Sequence, residues 1–287
     1  MDPIEPAGSR EPGRPRFWVW LAVGAGAVVA GVLVHQWLTW PDVARLAARN
    51  PESTAFIERF QARQRAAGLP DAVAWDPVPW DGISVHLRRA VVAAEDLEFF
   101  SHRGFSSSEL KAALRQALRE LEAPRGASTI TQQLAKNLWL SPSRNPVRKL
   151  KEVLLTRSLE RRLSKRRILE LYLNLVEFAP GIYGAEAAAR RFYGKPAAWL
   201  SEEEAASLAA GLPRPATWHP GVPSQAYARY AAEIRRRMDA AAFLWRAVGG
   251  EPPGQVQIVV PDLDSLLRAL RPEVVPPETT VTDTSRP

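Results

Sequence analysis

The chain has 287 residues, a formal net charge of +7 and no cysteine. That length holds one sizeable domain with appendages. The missing thiols exclude a disulfide frame, a zinc–thiolate site and a cysteine nucleophile, and the basic balance asks for an anionic partner: nucleic acid, phospholipid headgroups or a pyrophosphate.

Residues 1–16 are rich in Pro, Gly and Arg and read as a disordered tail. Phe17 to Leu38 contains no Asp, Glu, Lys or Arg. As a helix it would span roughly 30 Å, the thickness of a bilayer's hydrocarbon. Trp18, Trp20, Trp37 and Trp40 stand at its two ends, where interfacial aromatics belong, and Arg10, Arg14 and Arg16 precede it. The expectation is an anchor over 17–39 with the N-terminus inside and the bulk of the chain outside. The apolar run is long for a cleaved signal peptide, and His35-Gln36-Trp37-Leu38-Thr39-Trp40 is no small-residue cleavage site.

Beyond the anchor the pattern is helical. Pro41 opens a periodic stretch to Ala67 that Pro51 splits in two. Residues 68–82, with three prolines and two glycines, read as an extended connector. Leu87, Val91 and Ala94 recur at helical spacing from Ile83 to about Phe99-Phe100. Helices are then expected over Ser106–Glu122, Ser128–Leu140 and Val147–Leu163, the last with Leu150, Val153, Leu154 and Leu159 as its apolar set. Arg167–Val176, Ile182–Phe192, Ser201–Leu212 and one long helix over Ala226–Val248 follow. Val256–Val260 is the only segment that reads as a strand, and 272–287 reads as disordered. The expected class is all-α: one domain over 42–250 and a C-terminal extension over 251–287.

Three stretches carry residues suited to chemistry. In Ala94 to Gly104, three acids and His102 crowd a helix end. Glu95 adjoins the apolar face, and partial burial would raise its pKa toward that of a useful proton acceptor; the plainer reading of the spacing is a solvated helix end with His102 as its C-terminal cap. Arg125 to Asn137 is a small-residue loop opening a helix rich in hydroxyls and amides. Free N–H groups there suit an anion, although Ser128 and Thr129 can simply cap the helix, with Thr129-x-x-Gln132 as a capping box. Ser143–Arg167 holds ten Arg or Lys and two acids, a net +8 against +7 for the whole chain. Such a run is usually a solvated face; beside a bilayer it also suits lipid headgroups or a pyrophosphate. Glu152 lies inside it, where the surrounding cations favour its ionised form.

The pattern as a whole resembles the peptidoglycan glycosyltransferases, a domain family also found in bifunctional penicillin-binding proteins. Glu95-Asp96-x-x-Phe99-x-x-His102-x-Gly104 is similar to the family's first signature and Gly126–Leu134 to its second. Arg148-Lys149-x-x-Glu152, Lys165-x-x-Ile168-Leu169-Glu170-x-Tyr172-Leu173-Asn174, and Tyr183-Gly184-x-Glu186-x-Ala188-Ala189 with Tyr193-Gly194-Lys195 resemble the third to fifth, in family order. Ser106 stands where members often carry Asp. The single anchor and the short chain resemble the monofunctional, biosynthetic members. Ser108-x-x-Lys111 formally matches a transpeptidase nucleophile, but no Lys-Thr-Gly exists to complete one.

The resemblance implies a mostly α, lysozyme-like domain on one N-terminal transmembrane helix. It implies a reaction in which the 4-hydroxyl of lipid II attacks the anomeric carbon of the lipid-linked growing strand, and undecaprenyl pyrophosphate leaves. Glu95 would be the general base and Glu152 would assist near the pyrophosphate. Lys136, Arg144, Arg148 and Lys149 would contact the phosphates or the donor sugar. Asp96, His102, Ser128, Gln132, Gln133 and Asn137 would complete the substrate cleft. It implies no required cofactor, and a divalent-cation requirement is not legible in the sequence. The implied partners are lipid II, the glycan strand and the bacterial inner membrane, with other wall-synthesis proteins left open and no nucleic acid. The competing readings are a lysozyme-like lytic glycosidase and a non-catalytic, membrane-anchored scaffold.

Overall fold

Thr54, Thr129, Ser164, Ser201 and Ser224 each accept a hydrogen bond from a backbone N–H three residues on, and Ser84 from one two residues on. Each thereby satisfies a donor that the first helical turn leaves open. A computed structural model of the chain describes residues 18–21, 23, 24, 26, 27, 30, 31, 34, 40–105, 128–141 and 146–250. The expected tail 1–16, most of the expected anchor 17–39, the helix expected over Ser106–Glu122, Arg144, and the extension 251–287 with its strand at Val256–Val260 lie outside the described residues. Among the described residues no helix is long and apolar enough to cross a membrane.

The capped helices are α1 (Ala55–Ala66), α2 (Val85–Glu95), α3 (Ile130–Trp139), α5 (Lys165–Leu175), α7 (Glu202–Gly211) and α8 (Gln225–Ala240). Between and after them run α4 (Pro146–Arg162), α6 (Ala185–Tyr193) and α9 (Leu244–Ala247). α3 packs on α4 and α5, while α2 packs on α7 and α8. One apolar core joins both groups, with Leu87 and Val91 of α2, Leu134 of α3, Leu155 and Leu159 of α4 and Tyr172 of α5 all buried.

Several boundaries depart from the sequence reading. α2 stops at Glu95, because Asp96 leaves the helical region with φ −165° and ψ 77°. Ile182–Phe192 is not one helix: Ile182–Tyr183 is a strand (β3), and α6 begins only at Ala185. β3 lies between β1 (Ala74–Trp75), to which it is parallel, and β2 (Glu177–Ala179), to which it is antiparallel. The class is therefore mostly helical with a small sheet. Pro180-Gly181 between β2 and β3 is a turn signal, but the partner β1 sits about a hundred residues upstream, beyond the reach of local patterning. The long helix expected over Ala226–Val248 breaks after Ala240 and resumes at Leu244. No Gly or Pro causes the break; it carries Trp245 over the Arg89 guanidinium of α2, 3.8 Å from the ring centroid.

The apolar set expected for α4 is also corrected. Leu150 and Leu154 are 59% and 47% exposed, and of the four expected residues only Leu159 is buried. The buried face instead carries Glu152, Leu155, Thr156 and Leu159. The helix has apolar residues on two sides, and the packing of α3 selects the one that bears Glu152.

One glycine locks the sheet to α5. Gly184 has φ 82°, and a Cβ built there would lie 2.7 Å from the backbone oxygen of Asn174. Asn174 in turn accepts from the Val78 N–H at 2.9 Å and donates to the Val78 and Glu170 carbonyls at 2.8 and 2.9 Å. Gly184→Ala should therefore cost about 2–5 kcal/mol, adding backbone strain to the steric clash. Chemical denaturation checks this; a loss near zero would contradict the close approach.

Candidate active site

Glu95 is the last residue of α2, and its Oε2 accepts a 2.8 Å hydrogen bond from Nε2 of Gln133 on α3. Burial pushes the Glu95 carboxyl above its ordinary value. The Gln133 donor and the Lys136 ammonium pull the other way without cancelling it, and neighbouring Asp96 adds to the rise. Gln133 also donates to the Ser128 carbonyl at 3.3 Å, and its Oε1 accepts from the Tyr172 hydroxyl at 2.8 Å. These contacts tie the end of α2, the start of α3 and the middle of α5 together around one carboxylate.

Asp96 and His102 do not point outward. The Asp96 oxygens lie 2.9 and 3.0 Å from His102 Nε2, and Oδ2 accepts from the Ile130 N–H at 3.1 Å. The Gly104 N–H donates to His102 Nδ1 at 3.0 Å, so the ring's proton sits on Nε2 and is given to Asp96. His102 therefore does not act as a helix C-terminal cap. The Gly104 carbonyl accepts from the Thr129 hydroxyl at 2.8 Å, and a Cβ on Gly104 would meet Thr156 at 2.8 Å. The first-signature glycine is thus required by close approach as well as by its φ of 90°. Beneath this loop, Glu160 accepts from Thr131 at 2.5 Å and from Lys165 at 2.7 Å, and Lys165 lies over the Phe99 ring at 4.4 Å.

The capping box expected at Thr129 is formed, with the Thr129 N–H donating to Gln132 Oε1 at 3.0 Å. The carboxamide oxygen of Gln132 is therefore committed to the helix start. Asn137 is buried on the same helix, while Ser128 is half-buried ahead of it.

The second acid lies on α4. Glu152 is 1% exposed, and its oxygens accept from Arg148 at 2.9 Å and from Lys149 at 2.6 Å. Residues three and four apart on a helix share a face, so the spacing Arg148-Lys149-x-x-Glu152 builds this clamp locally. Arg148 Nε is buried without a partner among the described residues. Lys136 sits within the field of both acids. Burial lowers its pKa; Glu152 opposes that, Lys149 and Arg148 reinforce it, and Glu95 opposes it again. Among the described residues no group of three or more His, Cys, Asp or Glu is arranged to hold a metal ion.

Sequence reading missed three participants. Tyr172 and Lys165 stand within the fourth signature, yet nothing local says that one reaches Gln133 and the other Glu160. Tyr230 of α8 was not singled out at all. Its phenol is raised first by burial and then by the Glu95 charge, and its ring lies 5.9 Å from that of Trp218. Only the antiparallel packing of α8 on α2 brings it near the acid. The Arg89 guanidinium donates to the Met238 carbonyl at 2.8 Å at the other end of the pair.

Residues 60–239 match the family described as Transglycosylase. The chain is 45% identical over 226 residues to a biosynthetic peptidoglycan transglycosylase of Thiobacillus denitrificans, covering 79% of this chain and 97% of that protein. It is 46% identical over 228 residues to a protein of the same name from Azoarcus sp., covering 77% and 96% of the two chains. A third, from Laribacter hongkongensis, is 40% identical over 225 residues, with 78% and 98% covered. A match over well over half of the chain, together with relatives covered almost end to end, establishes that this protein belongs to the transglycosylase family.

Proposed function

We infer that the protein is a peptidoglycan glycosyltransferase that polymerises lipid II and releases undecaprenyl pyrophosphate. The observation that carries the reading is a pair of unlike carboxylates. Glu95 is desolvated and has its pKa raised, while Glu152 is buried between two cations. A sugar hydroxyl is a poor nucleophile until a positioned base accepts its proton. Glu95 fits that role: the acceptor's 4-oxygen bonds to the anomeric carbon, the anomeric C–O bond to the pyrophosphate breaks, and the hydroxyl proton moves to Glu95.

The leaving pyrophosphate gains negative charge, which fixed cations stabilise. Lys136, Arg148 and Lys149 supply them. Glu152 holds Arg148 and Lys149 in place, and the Arg148 Nε, without a partner among the described residues, is a donor that a phosphate oxygen would satisfy.

A lipid-linked substrate requires the cleft to sit at a membrane surface. Two features support a membrane-anchored domain. Trp18, Val19, Trp20, Leu21, Val23 and Val34, all within the expected anchor, are helical and exposed. On α4, Val147, Leu150 and Leu154 form an exposed apolar stripe. Beside it, Trp40, Leu154, Arg157 and Arg161 help line a cavity of about 260 Å³. Apolar side chains flanked by arginines suit the boundary between acyl chains and anionic headgroups.

Purified full-length protein supplied with fluorescent lipid II should yield high-molecular-weight glycan. No polymer from a folded sample overturns the reading. Soluble fragments released from cell-wall sacculi would replace it with a lytic glycosidase.

A further inference from the structure

Tyr172 is fully buried, and its hydroxyl has one described partner, Gln133 Oε1 at 2.8 Å. Burial, followed by the Glu95 and Asp96 charges, holds this phenol well above its usual pKa, so it keeps its proton at any working pH. A phenol that keeps its proton can donate. Gln133 faces Glu95 with the other end of the same carboxamide, at 2.8 Å. A carboxylate only accepts, so the end turned to it must be the NH₂ group. That leaves Oε1 facing Tyr172, which must then be the donor. The polarity of the chain Tyr172 to Gln133 to Glu95 follows from the chemistry at both ends.

Resting on the reading of Glu95 as the base, we propose that Tyr172 is a positioning residue for the transfer: it fixes the orientation of the Gln133 carboxamide and thereby decides which oxygen of Glu95 receives the proton. Gln133 occupies Oε2 of Glu95, and among the described residues Oε1 has no hydrogen-bond partner. In this proposal Oε1, the oxygen that Gln133 does not occupy, is the one offered to an acceptor hydroxyl. The Ser128 carbonyl, 3.3 Å from Nε2, favours the same orientation, but Tyr172 makes the only described contact to Oε1, so its loss lowers the cost of turning the carboxamide over. A flipped Gln133 would set its carbonyl against Glu95, repelling the ionised form and accepting a hydrogen bond from the protonated one. The base would then bind its proton before substrate arrives, and on the wrong oxygen.

The sequence contains both residues but not their contact. Tyr172 and Gln133 are 39 positions apart, on α5 and α3. Those two helices pack directly, with Leu134 and Ile168 buried beside the pair. The buried phenol has a structural value of its own, since an unpaired buried hydroxyl costs about 1–3 kcal/mol. What separates positioning from mere packing is the effect on the titration of Glu95.

The test is Tyr172→Phe in the full-length, detergent-solubilised protein, with lipid II polymerisation followed as a function of pH. The variant keeps the ring and removes only the donor. The expected result is an acid limb of kcat/KM displaced upward by about half a unit or more. The rate at neutral pH should fall about three- to tenfold, through kcat, with KM for lipid II within about twofold of the parent. A partly unfolded sample lowers activity at every pH alike and leaves the midpoint of the limb in place, so a thermal melt run alongside isolates the kinetic effect. An unmoved acid limb, whatever the melting point, overturns the positioning role. Glu95→Gln in the same assay separates the two levels. An inactive Glu95→Gln beside a normal Tyr172→Phe overturns the positioning role alone. An active Glu95→Gln overturns the base assignment and the proposal with it.

Discussion

Replacing Glu95 by Gln should lower lipid II polymerisation by about 10²–10⁴-fold, the usual worth of a positioned general base. The melting point should stay level or rise slightly. Gln is nearly isosteric and its carbonyl can still accept from Gln133 Nε2, so the local contact survives. The direction of the stability change follows from the raised pKa. Because Glu95 titrates higher in the folded than in the unfolded chain, folded protein binds more protons across that window. Stability therefore falls as pH rises from the unfolded pKa through the folded one. Above the window the native state carries the full cost of a desolvated carboxylate, and Gln removes it. In the parent enzyme the same shift should place the acid limb of kcat/KM above the ordinary glutamate value. Retained activity in Glu95→Gln, measured on initial rates, would remove Glu95 from the chemistry.

Asp96→Ala should do the opposite, with stability and activity lost together. Asp96 accepts from His102 Nε2 and from the Ile130 N–H, both buried among neighbouring groups. Truncation leaves two donors unsatisfied, at about 1–3 kcal/mol each, for an expected loss of about 3–5 kcal/mol by denaturant titration. The Ile130 N–H belongs to the first turn of α3, the helix that presents Gln133 and Lys136 to the acids. Freed from Asp96, that helix start can shift, and a misplacement on the order of 1 Å costs about 10²-fold in rate. Activity measured well below the new melting point should therefore still be reduced. A variant that is less stable but fully active when folded would confine Asp96 to a packing role.

These two neighbours illustrate how differently the chain discloses its parts. Glu95 was legible as a candidate because it adjoins Ala94 at the edge of the apolar face; spacing alone favoured a solvated helix end, and the family resemblance supplied its role as base. Asp96 and His102, expected in the substrate cleft by resemblance, are bound to each other and to α3. Asp96 also accepts from the Ile130 N–H, 34 residues away. No pattern in a single sequence announces that distance, since it depends on where α3 comes to rest. Gln132 divides in the same way: its capping box is local and was readable, and forming it commits the carboxamide oxygen that the cleft assignment would have used.

What the sequence alone determined were the short-range structures and the chemistry available to them. Capping residues, turn prolines and 3.6-residue periodicity act within one or two turns, so helix starts at Thr129 and Ser201 could be foreseen. The Glu152 clamp is of this kind too, because Arg148 and Lys149 must lie on its face of the same helix. The ordered signatures carried the family. Tertiary structure decided everything that required two distant segments to meet. It chose the Glu152 face of α4 over the Leu150–Leu154 face, paired β1 with β3, and broke the last long helix so that Trp245 could cover Arg89. It brought Tyr172 to Gln133. The physical reason is common to all of these. Local propensities differ by fractions of a kcal/mol, while burying one large side chain or satisfying one buried donor is worth one to several, at the order of magnitude of about 1–3 kcal/mol. Where the two conflict, packing wins.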